Sequence, residues 1–481
     1  MVFSSLTFLC IFFPVVFIAY QFLPGMRSKN ALLVVVSLVF YAYGEPVYVV
    51  LMILSSFANW GLGLLVGRSK HSLRQGWKKL YLAVAIIANL VFLGVFKYAG
   101  MAVGSVNYVF GLNLNIPLIE LPIGISFYTF QAMSYVIDVY RGEVKPQKSY
   151  ARVLLYISFF PQLIAGPIVK YHDIEEQLTK RHATLDDKTA GFIRFCVGLA
   201  KKVLIANTMA SVVDSLYAAS PDQINVFVAW VAALAYIMQI YFDFSGYSDM
   251  AIGLARMFGF HYKENFNYPY TSQTIQVFWR RWHISLSTWF KDYLYIPLGG
   301  NRKGRPRAVL NKIIVFFTCG LWHGASWNFV LWGLGHGFFL LLEEYLPIRK
   351  LPKALGVIYS LLVVTVLFVL FRADTIEQAG FFISQMFTGF HFEYASMSLL
   401  CEQLTPLFVF IFICACFAAT PFAKNAFEKV RLRAKEKMSL GDSKSLIRVQ
   451  VVQCVGALVL LLVCMLSLSG GGYNPFIYFR F

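Results

Sequence analysis

Charged residues are scarce in this sequence, and that scarcity excludes an ordinary soluble globular protein. Asp, Glu, Lys and Arg make up only 14% of the 481 residues, whereas hydrophobic types make up 58%. A soluble domain has about a quarter of its residues charged. Apolar runs long enough for a helix to cross a bilayer, about 17–25 residues, recur here instead. The sequence therefore predicts an all-α polytopic membrane protein.

Acidic residues are especially few, with 24 Asp and Glu against 42 Lys and Arg and a formal net charge of +18. A strongly basic chain can indicate nucleic-acid binding. Here the basic residues concentrate in short segments between apolar runs, where the positive-inside rule expects cytoplasmic loops. We therefore interpret the charge as a topology signal and predict no nucleic-acid partner. The short alternating segments of a transmembrane β-barrel are also missing.

Paired cysteine motifs are missing as well. The chain has eight cysteines but no Cys-x-x-Cys or other metal-type spacing. Most of them lie within apolar runs, so we interpret them as small buried hydrophobic residues and predict no metal site. A basic leader with a cleavage site is also lacking, so we expect the first apolar run to remain as a span.

Five spans are predicted in the N-terminal part of the chain, at about 6–23, 31–43, 47–67, 80–98 and 121–140. Basic residues follow the first, third and fifth of these runs, whereas the segment after the fourth is nearly uncharged. If the basic segments are cytoplasmic, the N-terminus lies outside the cytoplasm.

The whole chain, residues 1–481, is predicted to form one transmembrane domain in three parts. The N-terminal spans occupy 1–150, a core with re-entrant segments occupies 151–345, and further spans occupy 346–481 with a basic cytoplasmic loop at 424–448. Runs in the core are interrupted by Pro, Lys and Asp. Such segments persist at membrane depth only when they are buried in protein or line a wet cavity. We therefore expect a cavity in the core.

His323 is the first candidate for chemistry, because it ends an apolar run between Gly320 and Gly324. A charged side chain inside the membrane costs about 2.5–3.5 kcal/mol even on a lenient scale, so a titratable residue there is a functional candidate. Imidazole stays neutral near pH 7 and still accepts a proton. The pattern predicts a base inside the membrane, and the alternative is a histidine that only packs between helices.

His283 is the second candidate and lies in an aromatic and basic segment. If 276–292 is one helix, Trp279 and His283 share one face and Arg281 lies on another. We expect an interfacial or re-entrant helix with His283 pointing inward, or merely anchoring the helix. Arg280 and Arg281 are interpreted as interfacial anchors, or as a cytosolic mouth that receives a phosphate-bearing donor.

Three other polar residues of the core are interpreted as structural. Asp243 and Asp249 lie six residues apart, not the three or four that would place them on one helix face, so we assign them to polar networks. His336 lies thirteen residues after His323, which on one continuous helix would turn it about 220° away.

Several motifs occur in order along the chain. They are FWRRWHISLS at 278–287, LGGNR at 298–302, LWHGA at 321–325, and the segments 121–128, 164–167 and 241–253. Together they resemble the membrane-bound O-acyltransferase family, in particular its bacterial alginate O-acetylation branch. The resemblance covers most of the chain up to about residue 345, and its motifs are separate and ordered, so it is specific.

The resemblance implies a ring of about eleven transmembrane helices, with re-entrant and interfacial helices, around a central tunnel in which donor and acceptor meet. It implies that the family's essential histidine is His323 and that the second position of the catalytic pair is His283. In the better-known members that second position is often Asn or Asp. Trp279, Arg280 and Arg281 are the candidates for a donor-binding mouth.

The activity that the resemblance implies is O-acyl transfer. His323 would take the hydroxyl proton as general base, and His283 would orient it or bind the developing oxyanion. The donor would be a cytosolic thioester such as acetyl-CoA or an acyl carrier protein, used as a substrate, with no tightly bound cofactor. The acceptor would be an extracytoplasmic polysaccharide, reached through an SGNH-hydrolase-like partner. The enzyme would lie among the lipids of the bacterial inner membrane.

Alternatives stay open at this point. The teichoic-acid D-alanylation branch shares the Arg-Trp-His and Trp-His-Gly elements, although chain length and the LGGNR motif favour the alginate-type branch. A transporter would show repeated halves and intramembrane charge pairs, and the sequence shows neither. A scaffold without acyl-transfer activity is a further hypothesis.

Overall fold

Every regular element that the computed structural model describes is a helix. The described residues are 1–68, 75–117, 119–439, 444–471, 473–474 and 477. Among them, six helices or unbroken helical runs are long and apolar enough to cross a membrane, and a pair bent by 68° adds a seventh if it forms one span. The prediction of an all-α multi-pass membrane protein is therefore confirmed, and the total of about eleven spans stays a prediction.

The N-terminal part consists of long helices. They are α1 (Phe13–Phe22), α2 (Gly25–Ala42), α3 (Tyr48–Arg68), α4 (Gln75–Leu93), α5 (Ala99–Phe110) and α6 (Ile125–Arg141). A π-helical turn, Gly94–Tyr98, joins α4 to α5. The predicted fourth span therefore continues into a helical run of 35 residues, Gly76–Phe110. The predicted fifth span corresponds to α6, which is buried over almost its whole length.

The core consists of shorter helices around one long one. They are α7 (Tyr150–Ser158), α8 (Phe160–Leu163), α9 (Tyr171–Ile174), α10 (Leu185–Ala200), α11 (Asn207–Tyr217), α12 (Val226–Met257), α13 (Ile275–Trp279), α14 (Ile284–Phe290), α15 (Arg305–His323) and α16 (Trp327–Leu342). The interrupted segment 153–171 is buried at every residue. Its broken helices are thus enclosed by protein, as irregular backbone at membrane depth requires.

Helices α10 and α12 lie close together because glycine faces glycine at two points. A Cβ atom on Gly191 would lie 2.6 Å from the carbonyl oxygen of Gly253, and one on Gly198 would lie 2.6 Å from that of Gly246. Small residues at such contacts let helix backbones approach within a membrane.

Ion pairs join α12 to α10 and to the π-helical turn Lys201–Ala206 that follows α10. Asp243 lies 2.7 Å from the Nζ atom of Lys202, and both side chains are buried. Asp249 lies 2.8 Å from Arg194 and 2.6 Å from Lys201. The prediction that the two carboxylates belong to polar networks is confirmed.

The described C-terminal part consists of six α-helices. Its helices are α17 (Lys353–Arg372), α18 (Ile376–Thr388), α19 (Tyr394–Gln403), α20 (Pro406–Ala418), α21 (Phe422–Ser439) and α22 (Lys444–Ser469). The predicted basic loop 424–448 is largely helix α21 and the start of α22, and its residues 440–443 lie outside the described residues. After α22, the Asn474 side-chain amide donates to the Ser4 carbonyl at 2.8 Å. Ser4 and Asn474 therefore lie on the same side of the molecule.

Candidate active site

The segment that carries His283 is not one helix, so the prediction of a single helix over 276–292 is wrong. Helix α13 ends at Trp279, and α14 begins at Ile284 after a turn in which His283 has φ of +42°. A left-handed conformation is uncommon for a residue with a side chain and stores strain. His283 nevertheless points inward as expected, with no solvent exposure.

Asn265 holds the turn in this conformation. Its backbone carbonyl accepts the Ile284 N–H at 2.9 Å, and its side-chain oxygen accepts the Ser285 N–H at 3.1 Å. The side-chain nitrogen donates to Ser248 at 3.0 Å. These contacts replace the bonds that a continuous helix would make, and they depend on a residue 18 positions earlier in the chain.

The same asparagine fixes the tautomer of His283. Asn265 Oδ1 lies 3.2 Å from His283 Nδ1. Because a backbone N–H of Ser285 also points at that Asn265 atom, the atom is the oxygen and can only accept. Neutral His283 therefore carries its proton on Nδ1, and its Nε2 offers a lone pair.

His323 lies opposite, as the last residue of α15. The two imidazole rings are 6.4 Å apart between centroids. Each ring's Nε2 is buried and has no hydrogen-bond partner among the described residues. Buried polar atoms are usually satisfied. Two unsatisfied imidazole nitrogens on rings this close together thus indicate a place where a substrate binds.

The end of α15 is fixed by two side chains that the sequence analysis missed. Lys97 Nζ donates to the carbonyls of Trp322 at 2.7 Å and His323 at 3.2 Å, and Tyr98 Oη donates to the Leu321 carbonyl at 2.7 Å. The last carbonyls of a helix otherwise lack partners, and a cation there also complements the helix dipole. The sequence did contain a signal for Lys97, because a lysine inside the apolar run 80–98 is costly in a membrane unless it has a partner.

A first cavity of about 580 Å³ lies along α15, and its described lining residues include neither His283 nor His323. Lys312, Phe316 and Cys319 line it, and they occupy the face of α15 that continues to His323. From Lys312 to His323 the helix rises about 16 Å at 1.5 Å per residue. From α14, Leu286 also lines the cavity, three residues after His283.

The outer part of the first cavity is basic. Its charged lining residues are Arg280, Lys291, Arg302, Lys312 and Glu344. The single carboxylate among them, Glu344, pairs with Lys312. The cavity therefore presents an excess of positive charge to an entering ligand.

The three residues predicted for the donor mouth separate in the structure. Trp279 and Arg280 line the first cavity, whereas Arg281 lines a second cavity on another side of the turn. Arg281 Nη1 donates to Thr271 Oγ1 at 2.8 Å. The structure thus groups two of the three residues, and the roles of all three stay predictions.

His336 lies nearer to the site than a continuous helix would place it. The chain breaks after His323, and α16 returns alongside α15. As a result the Trp332 ring lies 5.0 Å from both the His323 ring and the His336 ring. Trp279 is a further neighbour of His336, at 5.2 Å. His336 thus packs in the same aromatic cluster.

Comparisons with known proteins agree on one family. A model of the membrane-bound O-acyltransferase family matches residues 145–371, which include both histidines of the site. The probable alginate O-acetylase AlgI of Pseudomonas putida is 38% identical over 496 residues, covering 100% of each chain. The peptidoglycan O-acetyltransferase of Helicobacter pylori is 35% identical over 79% of this chain and 78% of its own. The teichoic acid D-alanyltransferase of Bacillus subtilis is 28% identical over 46% of this chain and 59% of its own.

Proposed function

This chain belongs to the membrane-bound O-acyltransferase family and is a membrane O-acyltransferase of its alginate O-acetylation branch, and from that premise we propose how its site works. The enzyme moves an acetyl group from a cytosolic thioester to a hydroxyl, for O-acetylation of an extracytoplasmic polysaccharide. The observation that carries this proposal is the pair of buried imidazole nitrogens of His283 and His323, which have no partner among the described residues and belong to rings 6.4 Å apart.

The reaction needs a base, an acyl donor and exclusion of water. His323 takes the proton of the attacking hydroxyl, whose oxygen bonds to the thioester carbonyl carbon. The carbon–sulfur bond then breaks, and the thiolate takes the proton from the His323 imidazolium. Such general-base catalysis typically contributes about 10²–10⁴-fold. The attacking hydroxyl has one proton and donates it to His323, so His283, whose Nε2 is also an acceptor, aligns the acceptor substrate by receiving a hydrogen bond from a second donor group of that substrate.

The donor enters through the first cavity. Acetyl-CoA and a phosphopantetheine-bearing carrier protein both present phosphate next to a thioester arm, and Arg280, Lys291 and Arg302 offer cations for that phosphate. The apolar inner residues, such as Phe316 and Leu286, limit water around the thioester. Because basic segments favour the cytoplasmic side, this mouth faces the cytoplasm of a bacterial inner-membrane protein.

The identity of the acceptor is inferred from the relatives. The alginate and peptidoglycan O-acetylating relatives support a polysaccharide as the final acceptor. An SGNH-hydrolase-like partner outside the membrane would carry the acetyl group from this enzyme to the glycan. The D-alanyl transfer alternative is less supported, because that relative matches less than half of this chain. Family membership favours acyl transfer over the transporter and scaffold hypotheses.

Replacing His323 tests the proposal directly. His323→Ala and His323→Gln should remove O-acetyl groups from extracellular glycan to below about 1% of wild type at equal membrane abundance. His261→Ala is the control, because that histidine is exposed. Wild-type acetylation in both His323 variants would overturn the assignment of the base.

A further inference from the structure

A second cavity, of about 960 Å³, lies on another side of the turn that carries His283. Among the described residues, it shares no lining residue with the first cavity. Its walls come from the N-terminal half of α12, the segment before and within α13, and helices α17 and α20. The proposed acyl transfer uses none of this space.

The second cavity is long and mostly apolar. One wall is a stripe on α17 formed by every fourth residue, namely Lys353, Val357, Leu361 and Thr365. At 1.5 Å per residue the stripe extends over about 18 Å. Ile237 and Phe412 belong to the facing walls. An apolar surface of this length suits a hydrocarbon chain.

Positive charge is confined to two lining residues, Arg281 and Lys353, and none of the described lining residues is acidic. The hydrogen bond from Arg281 to Thr271 holds the guanidinium at the cavity wall. Lys353 begins α17. The first N–H groups and the dipole of that helix add to the attraction for an anion there.

We propose that the second cavity binds an anionic phospholipid of the surrounding bilayer, with its phosphate on Arg281 and Lys353 and an acyl chain along the α17 stripe. A water-soluble anion would leave the apolar wall uncovered. A zwitterionic phospholipid would bring its own cation close to Arg281 and Lys353. Both the charge and the shape of the cavity therefore select an anionic amphiphile.

The bound lipid also stabilises the turn that carries His283. The Arg281 carbonyl accepts the Asn267 N–H at 2.9 Å, two residues after Asn265, whose side chain bonds to His283. A phosphate on the Arg281 side chain therefore fixes one end of the strained turn. Acyl transfer should consequently be faster in membranes that contain anionic lipid.

Lipid retention tests the headgroup site. The purified full-length protein is titrated with dioleoylphosphatidylglycerol, and bound lipid is counted by native mass spectrometry. The double variant Arg281→Gln and Lys353→Gln should bind it about tenfold more weakly, because two charge-assisted contacts are lost. Lys350→Gln is the matched control, an exposed lysine three residues before Lys353 that does not line the cavity. Equal retention in the double variant and wild type would overturn the proposal.

Filling the second cavity tests the binding of the lipid acyl chain along the α17 stripe without changing any charge. Leu361→Trp should abolish retention of dioleoylphosphatidylglycerol while the melting temperature stays near that of wild type. Dioleoylphosphatidylcholine, the zwitterionic probe, should be retained poorly by every form of the protein. Undiminished retention in folded Leu361→Trp protein, or equal retention of both lipids by wild type, would show general surface adsorption and contradict a built site.

Discussion

Two outer spans, Tyr48–Arg68 and Gly76–Phe110, differ from two inner spans, Leu185–Tyr217 and Val226–Met257. In their most apolar stretches only 28% and 17% of the outer residues are buried, against 67% and 72% of the inner ones. The outer spans are nevertheless the more hydrophobic pair. In these four spans, higher hydrophobicity accompanies exposure to the surroundings of the protein, whereas the polar and small residues of the inner spans are enclosed by protein.

A buried polar link joins the spans of each pair, and the two links differ in kind. In the outer pair, the side chains of Asn59 and Asn89 exchange hydrogen bonds of 3.2 and 2.7 Å. In the inner pair, Lys202 and Asp243 form an ion pair at 2.7 Å. A charge without its partner costs more in a protein interior than an amide without its partner. The inner link should therefore be the more sensitive to mutation.

The largest expected effect is on stability. Lys202→Met leaves the buried Asp243 carboxylate without this cation and should lower the free energy of unfolding by about 3–5 kcal/mol. Asn89→Leu, in the outer pair, should lower it by about 1–3 kcal/mol. Thermal unfolding of both variants in one detergent measures the difference. Equal melting temperatures would remove the distinction between the two links.

Lys97 connects an outer span to the candidate active site. It lies on the span Gly76–Phe110, and its Nζ donates to the carbonyls of Trp322 and His323 at the end of α15. Lys97→Met should lower kcat per folded enzyme by about 100-fold, because a small displacement of His323 is enough to misalign the reacting atoms. The KM for the donor should stay nearly constant, and Lys97→Arg should restore part of the rate. Steady-state kinetics on protein quantified by size-exclusion fluorescence separates these outcomes from simple loss of folded enzyme.

Lys79→Met supplies the matched control for Lys97, because Lys79 is on the same helical run and is exposed. Its kcat should equal that of wild type. If Lys97→Met also kept the wild-type kcat, Lys97 would be a structural cap without influence on the reaction.

The sequence was sufficient for those features that depend on local pattern. The apolar runs predicted the helices, and His323 emerged as a candidate because titratable residues are costly in hydrocarbon. His283 emerged from the helix face that it was predicted to share with Trp279 and from the family resemblance. The break before His283 could not be predicted, because it depends on hydrogen bonds to Asn265 and not on helix propensity. The contact of Lys97 with His323 spans 226 positions, and only the folded chain brings them together.

A smaller effect is expected at Trp332. Its indole N–H can only donate, and it is buried beside His323 with no partner among the described residues. Trp332→Phe keeps the ring and removes the donor. We expect kcat to fall about tenfold, as for loss of one hydrogen bond to the reacting carbonyl. Trp77→Phe, on an exposed tryptophan of the outer region, should leave kcat unchanged. Equal rates for both variants would exclude a role for the Trp332 N–H.

The smallest effect is expected outside the spans, at His172. Its Nδ1 lies 2.9 Å from the buried Asp138 carboxylate, and this hydrogen bond raises the pKa of His172 above its ordinary value. A raised pKa in the folded state gives stability that is complete below about pH 6.5 and is lost as the pH rises through the raised pKa. Because the ring is partly exposed, the contribution should stay below about 1 kcal/mol. The melting temperature of wild type should thus fall slightly more between pH 6 and pH 8 than the melting temperature of His172→Gln does. Identical pH dependence in the two proteins would show that this pair does not contribute to stability.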